Sequence, residues 1–230
     1  MEEAEKKDWF SKFFTIVVPF GLIVATVVGI IIHVVGKPDE SQDIERRQPR
    51  TVSEAEVTDL QQKLGVLLGD RNVETEAGRN ALRGAQAFVA GTLSPENAGY
   101  AVELGDGVSS KGFLFRPVTV TLEGKKRRDV VTVFNVFSGE LDAAADTAAT
   151  LAVAQAMAAE RPPRSLRFVF LTGLEGFPLS IGRRSDENVK GFLWVGTDPP
   201  EGALTIDRDS ETAFVTALNL RAEIDELLYR

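Results

Sequence analysis

The chain has 230 residues and a mass of 25.0 kDa, with formal charge −8 and pI ≈ 4.9. An acidic balance argues against broad nucleic-acid binding, which needs a basic footprint. The absence of cysteine excludes disulfides and thiol chemistry, and the sole histidine, His33, lies in an apolar run near the N-terminus.

Residues 1–12 form a short tail. Phe13 to Gly36 then runs 24 residues without a formally charged side chain, roughly 36 Å at helical rise and long enough to span a bilayer. A signal peptide is the competing reading. Such peptides have a shorter apolar core and a small-X-small cleavage site, whereas this run ends in Val34-Val35-Gly36-Lys37-Pro38. A retained transmembrane helix over 13–36 is expected, with Trp9, Phe10, Phe13 and Phe14 in the interfacial belt. Gly21, Ala25 and Gly29, spaced by four, make one small-residue stripe suited to close packing of a second helix.

The segment 37–51, beginning KPDESQDIERRQPR, is too polar to bury a core and reads as a linker. A domain over 52–230 follows. Ser53 and Glu56 form a capping box, and Val57, Leu60, Leu64 and Leu67 recur at helical spacing. A second helix is expected over about 75–89, with Leu82, Ala85 and Val89 inward. Residues 99–104, 113–122 and 129–137 read as strands, with Pro117 implying an edge position or a bulge. Lys125-Lys126-Arg127-Arg128 follows Glu123-Gly124 and reads as an exposed hairpin turn, against the alternative of a phosphate or lipid site.

Residues 141–160 are alanine-rich and helix-favouring, stopped by Pro162-Pro163. Leu166–Leu171 and Gly191–Gly196 read as strands. A last helix begins near Asp209-Ser210-Glu211 and carries Ala217, Leu220, Ile224 and Leu227 on one face. The succession of strand, helix and strand over 130–171 implies a parallel βαβ unit. The expected class is α/β: a three-layer sandwich with a mixed, largely parallel sheet, preceded by one transmembrane helix. Reactive groups in such sheets gather at the carboxyl ends of strands, here Asn135-Val136-Phe137-Ser138 and Thr172-Gly173-Leu174-Glu175.

These segments resemble the zinc aminopeptidase and glutamate-carboxypeptidase-like family, and GDRNVETEAGRNALRGAQAFV resembles that family's N-terminal helical segment. The resemblance implies a truncated peptidase-like fold, since only about 55 residues follow Glu175. It puts a metal-binding His at Asn135, its partner Asp at Phe137, the bridging Asp at Asp146, the general-base Glu at Leu174 and a ligand Glu at Glu175. Two of those five positions keep a carboxylate. Catalytic zinc sites usually include imidazole, and the domain has none. Asp142, Asp146 and Glu175 could form an oxygen-only set for a hard cation, but Asp142 and Asp146 near a helix start are expected to cap it. Asp198 reads as a turn residue.

The expectation is therefore a pseudoenzyme with no catalytic residue, metal or cofactor. Nicastrin and nicalin, which resemble the same family, are non-hydrolytic membrane-complex subunits, so the resemblance implies a scaffold or recognition subunit. Its partners would be integral membrane proteins and lipid, met through the helix and the α/β domain, with no nucleic acid. Anchored relatives imply a cytoplasmic N-terminus and an extracytoplasmic domain. The alternatives are a divergent hydrolase using Asp142, Asp146 and Glu175, or a ligand-binding module lined by Asn135 and Ser138.

Overall fold

The structure is a computed structural model that describes residues 50–67, 72, 74–110, 113–137, 142–173, 185–196, 199–200, 203–206 and 212–230. The expected membrane helix with Gly21, Ala25 and Gly29, and most of the linker, lie outside the described residues, as do Ser138, Leu174, Glu175 and Asp198. Among the described residues, no helix is long and apolar enough to cross a membrane.

Helix α1 spans Glu54–Gln62, and the Ser53 hydroxyl accepts the Glu56 N–H at 3.2 Å. Val57 and Leu60 are buried, and Leu64 continues the apolar face into a π-helical turn over Lys63–Leu67. Helix α2 spans Glu76–Leu93, capped by the Thr75 hydroxyl accepting from Gly78 N–H at 2.9 Å. Leu82, Ala85 and Val89 face inward as their spacing predicts. The helix runs one turn further than its sequence pattern and buries Leu93. It stops at Ser94-Pro95, where the Ser94 carbonyl accepts the Asn97, Ala98 and Gly99 N–H groups.

Strands β1 (Val102–Leu104), β4 (Val118–Leu122), β5 (Lys126–Val136), β6 (Arg164–Leu171), β7 (Asn188–Val195) and β8 (Leu204–Thr205) form one sheet in the order β1-β4-β6-β5-β7-β8. The β6–β5, β5–β7 and β7–β8 pairs are parallel; β1–β4 and β4–β6 are antiparallel. The sheet is thus mixed and largely parallel. Strands β2 (Val108–Ser110) and β3 (Phe113–Phe115) make a separate antiparallel pair.

Two strand expectations need correction. Residues 113–122 are two strands, not one, because Arg116-Pro117 breaks the run. Pro117 sits before β4, and β4 is an interior strand between β1 and β6. A proline just outside a strand removes no ladder donor, so it sets neither an edge nor a bulge in β4. Lys125–Arg128 is also not a hairpin turn. β4 and β5 do not pair, because β6 lies between them, and Lys126–Arg128 belongs to β5.

Helix α3 (Asp142–Met157) follows β5, and α4 (Ala213–Tyr229) closes the chain. α3 is buried around most of its circumference, as an alanine-rich helix with neighbours on several sides must be. One core joins α1–α4 to a single sheet face through Val131, Val133, Phe168, Phe170, Leu193 and Val195. Ala217, Leu220, Ile224 and Leu227 of α4 lie in this core as expected. The opposite face carries a smaller cluster of Phe134, Val169, Leu171 and Trp194. Among the described residues the helices pack on one face of the sheet, and the opposite face is buried at Val169, Leu171 and Trp194.

Candidate functional site

The carboxyl ends of β5 and β7 meet the second turn of α3 at Asn135. Strand alternation turns this side chain toward the helices, alongside Val131 and Val133. It is fully buried. The Asn135 amide Nδ2 donates to the Val195 carbonyl at 3.3 Å, and the Thr147 hydroxyl donates to Asn135 Oδ1 at 3.0 Å. Thr147 also reaches the Ala143 carbonyl at 2.6 Å, so its one hydroxyl proton is divided between two acceptors. The result is a polar clip joining β5, β7 and α3. A carboxamide does not titrate in the physiological range, and here both of its ends are engaged by the protein.

Asn135→Ala is expected to destabilise the fold by about 1–3 kcal/mol, the range for stranding buried polar partners. Chemical denaturation of the full chain checks this. An unchanged midpoint would show that the clip is energetically idle.

Phe137 is buried in the main core, and its backbone N–H donates to the Leu171 carbonyl at 2.9 Å. It anchors the exit of β5 rather than facing a ligand. Asp146 is 5% exposed and lies in the second turn of α3, four residues after the helix begins. That is beyond the N-cap and first-turn positions whose side chains accept free N–H groups, so the capping role expected for Asp146 is corrected. Its carbonyl accepts the Thr150 hydroxyl at 2.8 Å. The structure therefore buries Asn135, Phe137 and Asp146, and joins Asn135 to α3 through Thr147. Among the described residues, no group of three His, Cys, Asp or Glu side chains could hold a metal ion.

Sequence reasoning missed Thr147 and Thr150, two hydroxyls in an alanine-rich helix. It also missed a buried ion pair. The Arg167 guanidinium donates two hydrogen bonds to Glu187, at 2.7 and 2.6 Å, and a third at 3.3 Å from Nε to Thr121 Oγ1. Arg167 alternates with Leu166 and Phe168, so it points to the sheet face away from the helices. A charge inside an apolar strand was the available signal, because such a charge needs a partner. Elsewhere, Tyr100 donates to the Ala154 carbonyl at 2.7 Å. Burial first, and the Glu160 charge second, raise its pKa beyond ordinary phenolic values.

Several solved structures are similar to this one. A leucine aminopeptidase precursor from Bacteroides thetaiotaomicron is 14% identical, with TM-score 0.44, over 64% of this chain and 63% of that one. A Zn-dependent exopeptidase from Parabacteroides distasonis is 10% identical, with TM-score 0.43, over 64% and 62%. Fimbriiglobus ruber glutaminyl cyclase is 12% identical, with TM-score 0.45, over 69% and 64%. This chain thus spans less than two thirds of each of those proteins, and likeness at this level assigns it neither an activity nor a ligand. No family model matches the chain. No curated protein matches it.

Proposed function

We propose that this chain is a membrane-anchored, non-catalytic peptidase-like domain, a scaffold or recognition subunit of a membrane protein complex. One observation carries the non-catalytic part. Asn135, the position that the family resemblance gives to a metal-binding His, is fully buried, with its amide committed to Val195 and Thr147. A side chain used in this way serves packing between β5, β7 and α3. The core placement of Phe137 supports the same reading. The apolar run 13–36 supports anchorage, and its stripe of Gly21, Ala25 and Gly29 supports docking beside partner helices.

The test is extraction of the full chain in mild detergent, followed by affinity purification and mass spectrometry. A stable membrane complex is the expected result; a monodisperse monomer would count against the scaffold role. Purified protein is expected to hold no stoichiometric zinc after exposure to the metal, as read by elemental analysis. One or two tightly held zinc ions per chain would overturn the non-catalytic reading.

Gly29→Leu should leave membrane insertion intact, because the span stays apolar. It should reduce co-purification of partners, because leucine separates helices that glycine lets approach. Undiminished co-purification would reduce the anchor to a tether.

A further inference from the structure

The basic cluster lies at the amino end of β5, opposite the end that carries Asn135. Lys125, Lys126, Arg127 and Arg128 are all exposed, yet the backbone beneath them is fixed. The Gly124 N–H donates to Ser165 Oγ at 3.1 Å, and that buried hydroxyl donates to the Arg127 carbonyl at 3.2 Å. The Lys125 and Lys126 N–H groups donate to the Pro162 and Pro163 carbonyls at 3.0 and 2.9 Å. Lys126 pairs with Arg164 and Val130 with Ser165, so β5 gains residues that β6 does not match. Arg127 and Arg128 bulge out of the β5–β6 ladder, a device that re-aims side chains, while Asp129 stays paired with Asn188 of β7.

The Arg127 and Arg128 side chains are 78% and 76% exposed. Their contacts to Glu123, at 3.1 Å, and Asp186, at 4.0 Å, are themselves exposed, and such pairs hold weakly. Lys125 and Lys126 make no ion pair among the described residues. An acidic chain thus holds four adjacent cations in solvent at the ordered entry to β5 and its bulge. Fixing the backbone in advance lowers the ordering cost of binding.

The geometry points to a lipid-docking surface: the Lys125–Arg128 bulge meets the anionic phosphate headgroups of the bilayer that holds the chain. This rests on the anchored reading above. A chain of net charge −8 is poorly suited to an extended nucleic acid. The linker 37–51 spans at most about 50 Å when extended, a length that lets a tethered domain reach the headgroup plane. Tethering raises the effective concentration of that plane, so a modest attraction per cation is enough.

The test is amine-reactive labelling of the full chain in nanodiscs of phosphatidylcholine, with and without phosphatidylglycerol. Labelling of Lys125 and Lys126 is expected to slow roughly threefold or more on the anionic discs and to recover at high salt. Arg127→Gln/Arg128→Gln, which alters only exposed side chains, should restore most of the rate. Equal labelling on both lipids, or slowing that survives salt or the double substitution, overturns the proposal. Slowing in native membranes but in neither nanodisc assigns the bulge to an acidic protein surface and also overturns it. Failure of the chain to insert counts against the anchor alone. Flotation with free vesicles of the two compositions then decides. Binding to anionic vesicles that the double substitution abolishes supports the docking surface, and binding to neither overturns it.

Discussion

Gly124→Ala is expected to cost about 3 kcal/mol or more and to lower sharply the yield of folded protein. A Cβ at Gly124 would stand 2.2 Å from the Arg164 carbonyl carbon, 2.3 Å from its oxygen and 2.6 Å from the Ser165 nitrogen. All three are backbone atoms, so no rotamer change relieves the contact. Relief requires the entry to β5 to move away from β6. That movement breaks the Gly124–Ser165, Lys125–Pro162 and Lys126–Pro163 hydrogen bonds. Overpacking alone costs typically 1–3 kcal/mol, and each lost bond adds about 1 kcal/mol. Gly91→Ala is the control. Gly91 lies inside α2 with nothing within 4 Å of its added Cβ, so that change should stabilise by about 0.5–1 kcal/mol. Thermal melting of both variants checks the contrast, and a parent-like melt for Gly124→Ala would refute the close approach.

The second large effect is at the buried ion pair. Arg167→Met should destabilise by about 3–5 kcal/mol, because it strands the Glu187 carboxylate away from water. Glu187→Leu should cost a similar amount for the converse reason. The double variant, Arg167→Met with Glu187→Leu, should recover most of the loss, since replacing a whole buried pair with apolar groups is often neutral. Denaturant titration of the four species gives the coupling energy directly. Additive single losses would mean that the two side chains do not depend on each other. Thr121 and Thr132 flank Arg167 in register on β4 and β5, and the Arg167–Thr121 hydrogen bond joins the pair to β4.

Much of the fold is legible in local pattern. The Ser53 cap, the inward face of α2, the alanine-rich α3 and the apolar runs of β5, β6 and β7 follow from propensity and periodicity, which depend on near neighbours in sequence. Strand adjacency is different. Glu123-Gly124 between two strand-like runs reads locally as a turn, but it joins strands that β6 separates. No short-range signal carries that information, because it arises from where α3 returns the chain. The same holds for Asn135. Its position is readable, but its role is set by Val195, sixty residues later, and by Thr147 across the helix. Asp146 was misread because the start of α3 decides whether a carboxylate caps or is buried. A difference of one turn changes the answer.

The strand order also constrains how the chain can be made. β5 lies between β6 and β7, both of which leave the ribosome after it, and β4 must wait for β6 before it gains an interior partner. A nascent chain ending before Arg164 therefore presents β5 without a partner and β4 paired only with β1, two apolar strands adjacent in sequence that must never zip together. Productive folding is delayed until β6 arrives to separate them, and α4, which follows every strand of the sheet, completes the burial of α3. The domain is thus poorly suited to folding piecemeal from its N-terminus. Its assembly waits for β6, and translation pauses before residue 164 would lengthen exposure of the strands most able to mispair.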